Sequence, residues 1–262
     1  MRDGVGDMTD SGTRAARAGR MKLVACEAVI EDLGGLRPEI PREIVDMSLH
    51  ERPGKLREHL QDIIDASAGS WDTLALAYGL CSQAVVGLRA NGCRLVIART
   101  DDCISMLLGS HELRQKELEA EPGTYFLTKG WLRTGATGPL AAYTRVAARW
   151  GPERAERLVR SMMRHYTRIV FSGTGTDFER ERVMARETAD WLGLRFVERE
   201  ATTALFEQLL DGPWDDRYVV VEPGGTVKFE DFFGAGATSS PRAEMLTAGT
   251  PTGGGEHAVG DR

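Results

Sequence analysis

Three of the four cysteines stand where a strand-like segment of the sequence ends. Cys26 ends "KLVAC", Cys81 follows "TLALAYGL", and Cys103 comes shortly after "RLVIART". Ligands of open α/β sheets bind outside the carboxyl ends of the strands, so we expect the three thiols to lie together. Three thiolates from separate loops leave one coordination position open, which suits a catalytic metal or an iron–sulfur cluster. The pattern therefore predicts a metal centre, either a zinc ion or a 4Fe–4S cluster.

The competing interpretation is that these cysteines are small core residues, because free cysteine is among the most buried residue types. We assign that role to Cys93, which begins the strand-like "CRLVI" and so lies at the opposite end of its strand. The sequence has no C-x-x-C spacing, which disfavours a zinc ribbon or a thioredoxin-like redox pair. The N-terminus lacks an apolar secretory segment, so we expect a cytoplasmic protein with reduced thiols.

Other residues with possible chemistry fall at the same strand ends. His50 closes "IVDMSLH" and is a candidate fourth ligand or proton donor. Arg99 ends the strand before Cys103 and is a candidate for binding an anionic substrate, with a surface ion pair as the alternative. Asp102 precedes Cys103 at the start of a predicted helix, where capping of free N–H groups competes with catalysis. His50, Arg99 and Asp102 are our candidate catalytic residues.

Two more segments predict contacts to a substrate. "FSGTGTDFERE" follows a predicted strand and opens a predicted helix. We expect Gly173, Gly175 and Thr176 to expose N–H groups, which in such a turn can hold a phosphate or a carboxylate. It lacks the third glycine of a dinucleotide fingerprint and the lysine of a P-loop, so a tight strand-to-helix connection explains it equally well. "PGTYFLTKGW" carries Tyr125 and Lys129, which alternate positions of a strand would place along a pocket wall.

Strand-like and helix-like segments alternate along the body of the chain, which predicts an α/β fold. The strand-like segments are "KLVACEAV", "EIVDMSLH", "TLALAYG", "CRLVIART", "TYFLTKGW", "RIVFSGT", "LRFVERE" and "RYVVVEP". Amphipathic segments such as "KLREHLQDIIDAS" lie between several of them and predict helices. We therefore expect one domain over residues 21–233, with a mostly parallel sheet and helices on both faces. Residues 1–20 and 234–262 have few apolar side chains and are predicted to be disordered, and Met21 is an alternative translation start.

Composition narrows the classes of partner. The chain has 262 residues, 42% of them hydrophobic, and a formal net charge of -6. This acidic balance disfavours a nucleic-acid partner, which needs a concentrated basic surface. The sequence contains no apolar run of the roughly 18 residues that a membrane-spanning helix needs. We therefore expect no nucleic-acid or membrane partner, and the predicted site suggests a small-molecule substrate.

Four strings in fixed order resemble the domain of unknown function 1638 family: "LHERPGKLREHLQ", "YGLCSQAVVGL", "ARTDDCISMLLGS" and "PGTYFLTKGW". With "GPWDDRYVVVEPG" the resemblance extends over about residues 21–233. It implies that Cys26, Cys81 and Cys103 are motif positions and that Cys93 is not. The motifs also include His50, Arg99, Asp102, Tyr125, Gly130 and Trp131. The chain departs from the family pattern at Ala98 and Lys129, which replace prolines, and at Glu27, which replaces a glycine and would change the charge beside Cys26.

The resemblance implies a fold and a site but names no activity. The resemblance also implies a link to corrinoid-dependent methyltransferase systems, beside whose genes members of the family are expected in some microbes. Two classes of function remain: an enzyme whose three-cysteine metal centre acts on a small, anionic substrate, or an accessory protein that binds a metal or corrinoid cofactor for a methyltransferase-type partner. An enclosed set of thiols favours the enzyme, and a flat exposed patch favours the accessory protein.

Overall fold

The computed structural model describes residues 19–136 and 138–233. The predicted disordered segments, 1–20 and 234–262, fall outside these ranges apart from Gly19 and Arg20. The strands are β1 (Met21–Cys26), β2 (Arg42–Val45), β3 (Thr73–Leu76), β4 (Arg94–Ala98), β5 (Thr124–Thr128), β6 (Arg168–Gly173), β7 (Arg195–Glu200) and β8 (Tyr218–Val221). All eight strand-like segments of the sequence thus form strands.

Helices connect most of these strands. They are α1 (Glu27–Leu33), α2 (Pro53–Ser67), α3 (Cys103–Leu107), α4 (His111–Ala120), α5 (Lys129–Thr134), α6 (Gly138–Trp150), α7 (Pro152–Met163), α8 (Glu179–Leu192), α9 (Ala204–Asp211) and α10 (Glu230–Phe233). A short 3-10 helix, Met47–Glu51, follows β2. Among the described residues, no helix is long and apolar enough to cross a membrane.

The strands form two sheets, and most of their pairs are parallel. The first has the order β2-β1-β3-β4-β8, with only β8 antiparallel to its neighbour β4. The second has the order β5-β6-β7 and is fully parallel. The predicted α/β class with parallel strands is confirmed, but the strands do not share one sheet. Since β8 occupies the outer side of β4, β5 pairs with β6 instead.

The main core surrounds the middle of the first sheet. Leu74, Ala75 and Leu76 of β3 are completely buried, as are Leu95 and Val96 of β4. Burial of consecutive residues means that both faces of these strands are covered, which is the usual environment of a parallel sheet. This core holds the strand ends that carry the cysteines in fixed positions.

A buried polar joint links the two sheets. Asp32 of α1 is only 1% exposed, and its carboxylate accepts hydrogen bonds from Thr128 Oγ1 (2.7 Å) and from the Gly130 N–H (2.8 Å). The Lys129 Nζ donates to the carbonyl oxygen of Thr174 (3.0 Å) and to Thr174 Oγ1 (3.1 Å). These bonds fix α1 against the end of β5 and the turn after β6. Lys129 therefore has a structural role here, and its predicted contact with a substrate stays a prediction.

A three-cysteine candidate site at the carboxyl end of the first sheet

Cys26, Cys81 and Cys103 follow three neighbouring parallel strands. Cys26 is the last residue of β1, Cys81 lies in the turn after β3, and Cys103 is the first residue of α3 after β4. The three thiols therefore lie at one end of the sheet, as their spacing predicted. Cys93 precedes β4 at the other end and is 1% exposed, in keeping with its assignment as a core residue. We call Cys26, Cys81 and Cys103 the three-cysteine site.

The turn that carries Cys81 is strained. Cys81, Ser82 and Gln83 have φ angles of 44°, 53° and 64°, in the left-handed region that non-glycine residues avoid. Residues 77–87 form successive turns. Successive left-handed residues cost about 1–2 kcal/mol each. Such strain clusters at functional sites, so the turn is a second indication of a site at Cys81.

Hydrogen bonds to the loop after β4 hold this turn in place. The Leu80 N–H donates to the carbonyl oxygen of Thr100, and the Cys81 N–H donates to that of Asp101, each at 2.8 Å. Gly79 allows the close approach, because a Cβ at this position would lie 2.5 Å from Thr100 Oγ1. The loops that carry Cys81 and Cys103 are therefore joined directly.

All three thiols are buried, at 4–6% exposure. Burial raises the pKa of Cys26 to about 11, although the N–H groups of Val29 and Ala28 at the start of α1 lower it in part. Burial also raises the pKa of Cys81 and Cys103, and the charges of Cys26 and Asp102 raise both further. These mutual effects place the three thiols within electrostatic reach of one another. Without a bound cation the thiols are protonated at neutral pH.

His50 contacts the site directly. Its Nδ1 lies 3.5 Å from the Cys81 Sγ, and its ring packs edge-on against Trp131 at 5.4 Å between centroids. His50 lies in the 3-10 helix after β2 and not in a strand. The start of this 3-10 helix is held by a hydrogen bond from the Met47 N–H to the Glu27 carboxylate (3.1 Å). Burial lowers the pKa of His50, so its neutral form is favoured near pH 7.

Tyr78 is the residue that the sequence reasoning missed. It follows β3, is 2% exposed, and its hydroxyl has no hydrogen-bond partner among the described residues. Burial raises the pKa of Tyr78, and the charges of Cys26, Cys81 and Cys103 raise it further. A buried tyrosine hydroxyl usually has a partner. The available signal was Tyr78 itself, a polar aromatic residue at the end of an apolar strand.

Asp101 and Asp102 stabilise the loop before Cys103. Asp102 Oδ1 accepts a hydrogen bond from the Ser105 N–H (3.0 Å) at the start of α3, the capping role that competed with catalysis. Arg114 forms ion pairs with Asp102 (3.0 Å) and Asp101 (3.2 Å). Burial raises the pKa of Asp101, but His111 and Arg114 lower it by a larger amount. Asp102 is thus held in place beside the three-cysteine site by its cap and its ion pair.

The chain matches a family description over residues 44–210, that of a protein of unknown function (DUF1638). It belongs to this family. The match covers well over half of the sequence and includes the segments of His50, Cys81 and Cys103, while Cys26 precedes it. No curated protein and no solved structure matches the chain. For this DUF1638 chain, the functional reasoning therefore depends on the geometry of the site.

The remaining candidate residues of the DUF1638 chain lie away from the thiols or at the surface. Arg99 is exposed, and its backbone N–H donates to Arg217. Tyr125 packs against Tyr166 in the second sheet, with 5.1 Å between ring centroids. Gly173 packs against the Phe178 ring, while Gly175 and Thr176 are exposed. The structure shows no shared contact between these residues and the cysteines, so their predicted roles stay predictions.

The donor chemistry of the site fits a thiophilic metal, but the side chains are not arranged around an ion. Three buried cysteines follow adjacent strands, and the His50 imidazole contacts one of them, which together supply the sulfur and nitrogen ligands that zinc prefers. Within the described ranges, no three histidine, cysteine, aspartate or glutamate side chains have positions that hold a metal ion. Rotation about the single side-chain torsion of each cysteine changes the position of its sulfur atom.

Proposed function

We propose that this protein is a metal-dependent enzyme whose centre is bound by Cys26, Cys81 and Cys103. The observation that supports the proposal is the grouping of three buried cysteines at the carboxyl end of three adjacent parallel strands. Three protein ligands leave a fourth position for a small molecule, as in catalytic zinc sites. A 4Fe–4S cluster with one iron free of a cysteine ligand is the alternative centre.

The electrostatics of the site favour a cation. The thiols, Asp102 and Asp32 all make the site more negative when they ionise, and each raises the pKa of Cys103. A bound cation removes this mutual repulsion and allows the thiols to lose their protons. When bound, the metal would act as a Lewis acid on the small molecule in the open position.

The protein side chains around the thiols have distinct tasks. His50 is neutral and its Nδ1 lies 3.5 Å from the Cys81 Sγ, and in the proposed enzyme it would accept a proton from that thiol or from a substrate. Asp102 is fixed beside Cys103, where its charge also favours a protonated imidazole on His50. The hydrogen bond from Met47 to Glu27 orients the 3-10 helix that carries His50.

Burial of the thiols favours the enzyme over the accessory protein. At 4–6% exposure, the three cysteines do not form the flat, open patch expected of a site that passes a metal or a corrinoid to a partner. A reaction at a buried centre also benefits from the exclusion of water. A groove of ≈ 340 Å³ is lined by Glu27, Ile44 and Arg133 among others. Because Glu27 directly follows Cys26 in the sequence, this groove is a candidate route by which a substrate enters the site.

The test is the metal content of protein purified without oxygen. We expect about one metal centre per chain, identified by elemental analysis, acid-labile sulfide and the absorption spectrum. Serine variants of Cys26, Cys81 and Cys103 should each lose most of the metal, whereas Cys93→Ser should keep it. Wild-type protein without metal that also binds neither zinc nor a reconstituted cluster would contradict the proposal, as would equal metal contents in all four variants.

A further inference from the structure

The hairpin formed by α6 and α7 exposes large apolar side chains at the surface. Trp150 is 50% exposed, Leu158 is 45% exposed and Met162 is 53% exposed. The other face of α7 already has its packing partners, since Val159 and Met163 are buried in the core beneath the hairpin. Leu158 and Met162 are four residues apart and are therefore neighbours on the outer face of the helix. Exposed apolar side chains that are grouped in this way mark a surface that binds a partner.

A groove lies between the two helices on this surface. It has a volume of ≈ 460 Å³ and is lined by Val146, Trp150, Arg154, Arg157 and Leu158. Val146 is buried whereas Arg154 and Arg157 are exposed, so the groove has an apolar floor and a basic rim. Sites for small molecules enclose most of the surface of their ligand. Because the walls of this groove are about half exposed, it suits a side chain that a protein partner inserts.

Two arginines hold the Trp150 ring at the edge of the groove. The guanidinium groups of Arg149 and Arg154 lie 4.8 Å and 5.5 Å from the centroid of the ring. Neither arginine forms an ion pair among the described residues, where the ion pairs of this hairpin belong to Arg145, Arg157 and Arg160. Tryptophan and arginine are the residues that most often dominate the binding energy of protein interfaces. A tryptophan that is already held in position also loses less entropy on binding.

The hairpin is basic although the chain as a whole is acidic. Residues 145–165 contain six arginines and two glutamates, while the chain has a formal net charge of -6. Two copies of this surface would repel each other, which disfavours a symmetric dimer formed through it. A flat lipid surface would leave the groove between the helices unfilled. A protein segment that carries carboxylates around an apolar side chain would complement both the rim and the floor of the groove.

We propose that the α6–α7 hairpin binds an acidic amphipathic helix of a partner protein. The apolar side chains of that helix enter the groove, and its carboxylates pair with Arg154 and Arg157. The hairpin packs against Tyr125 of the second sheet, whereas the three cysteines follow strands of the first. This inference therefore does not depend on the proposed metal centre.

The test is the binding of a fluorescein-labelled helical peptide, EELLEEFLEELLEE, to the full-length protein, measured by fluorescence anisotropy. A second peptide with glutamine in place of every glutamate keeps the apolar face and removes the charge. The acidic peptide should show saturable binding, and the glutamine peptide should bind about tenfold more weakly. Arg154→Glu and Leu158→Ser should each weaken binding of the acidic peptide about tenfold. Failure of the acidic peptide to bind, or equal affinities of the two peptides, would overturn the proposal.

Arg186→Glu and Val183→Ser on α8 are the matched controls. Arg186 is exposed and lies 4.3 Å from the ring centroid of Phe196, as Arg154 lies over a tryptophan, and Val183 is 45% exposed, as is Leu158. Both controls should bind the acidic peptide as the wild type does, and a loss equal to that of the hairpin variants would overturn the proposal. A dimer in light scattering that Leu158→Ser converts into a monomer would instead show an interface between copies of this chain. Tighter binding of phosphatidylserine vesicles or of single-stranded DNA than of the peptide would likewise overturn the protein partner. Because the exchanged side chains are exposed, the melting temperatures of all variants should match that of the wild type.

Discussion

Metal binding at the three-cysteine site should release nearly three protons for each ion bound. The pKa of Cys26 is raised to about 11, and those of Cys81 and Cys103 are also raised by burial, so all three thiols carry their protons at pH 7. His50 is neutral at that pH because burial lowers its pKa, so it contributes no proton. Only the thiolate form of cysteine binds the metal, so each thiol must lose its proton.

The size of the effect follows from these pKa values. Ionisation of the Cys26 thiol alone at pH 7 costs about 5 kcal/mol, because a value of about 11 lies four units above that pH. The metal has to compensate for this cost at each thiol. The apparent affinity for zinc should therefore rise steeply, by about a thousandfold for each pH unit between pH 7 and pH 8.

Isothermal titration of metal-free protein with zinc, in two buffers of different ionisation enthalpy, measures the number of protons released. Wild-type protein should release close to three, and serine variants of Cys26, Cys81 or Cys103 should release about two and bind zinc more weakly. Cys93→Ser is the control and should behave as the wild type does. Release of fewer than two protons by the wild type, or equal losses in Cys93→Ser and Cys26→Ser, would refute the reasoning.

Three further predictions concern the scaffold. Gly79→Ala should lower the free energy of unfolding by about 3 kcal/mol in denaturant titrations, because its Cβ would lie 2.5 Å from Thr100 Oγ1. The control Gly175→Ala has no atom within 4 Å of its Cβ and should lower the free energy of unfolding by only about 1–2 kcal/mol. Equal losses in the two variants would contradict the packing argument. Gly130→Ala should prevent stable folding, since its Cβ would lie 1.8 Å from the Ala28 carbonyl oxygen, and a normal melting temperature would disprove this close contact. Burial raises the pKa of Asp32 to about 6, so the folded state favours its protonated form. The contribution of Asp32 to the free energy of unfolding is therefore present below about pH 4 and is lost as the pH rises through 6. In Asp32→Asn the free energy of unfolding should fall by about 3 kcal/mol less between pH 4 and pH 7 than in the wild type, and an unchanged pH profile would contradict the assignment.

The hydrogen bonds of Asp32 connect the two sheets through α1, so both sheets help to hold the three-cysteine site in position. Asp32 accepts bonds from Thr128 and Gly130, and its backbone carbonyl accepts a hydrogen bond from Thr174 Oγ1. Because α1 begins directly after Cys26, a shift of the second sheet would be transmitted to the three-cysteine site. The second sheet therefore contributes to the site through α1, although it supplies none of the three thiols.

The sequence by itself determined the strands and the location of the three cysteines at strand ends. Apolar patterns and turn residues are local signals, so all eight strands were identified. The sequence also placed Cys26, Cys81 and Cys103 at the ends of strands. Adjacent parallel strands then bring such residues together, whatever the details of the turns.

Only the tertiary structure decided how these elements combine. The division into two sheets depends on β8 reaching β4 from more than 100 residues away, as the pair Leu95 and Val221 shows, and no local pattern encodes that contact. The left-handed turn at Cys81 exists because the loop after β4 holds it, and Lys129 is buried because Thr174 and Asp32 meet it across the joint. The missing partner of the Tyr78 hydroxyl is likewise a property of the folded chain, since hydrogen bonding inside a core depends on which groups packing brings within reach.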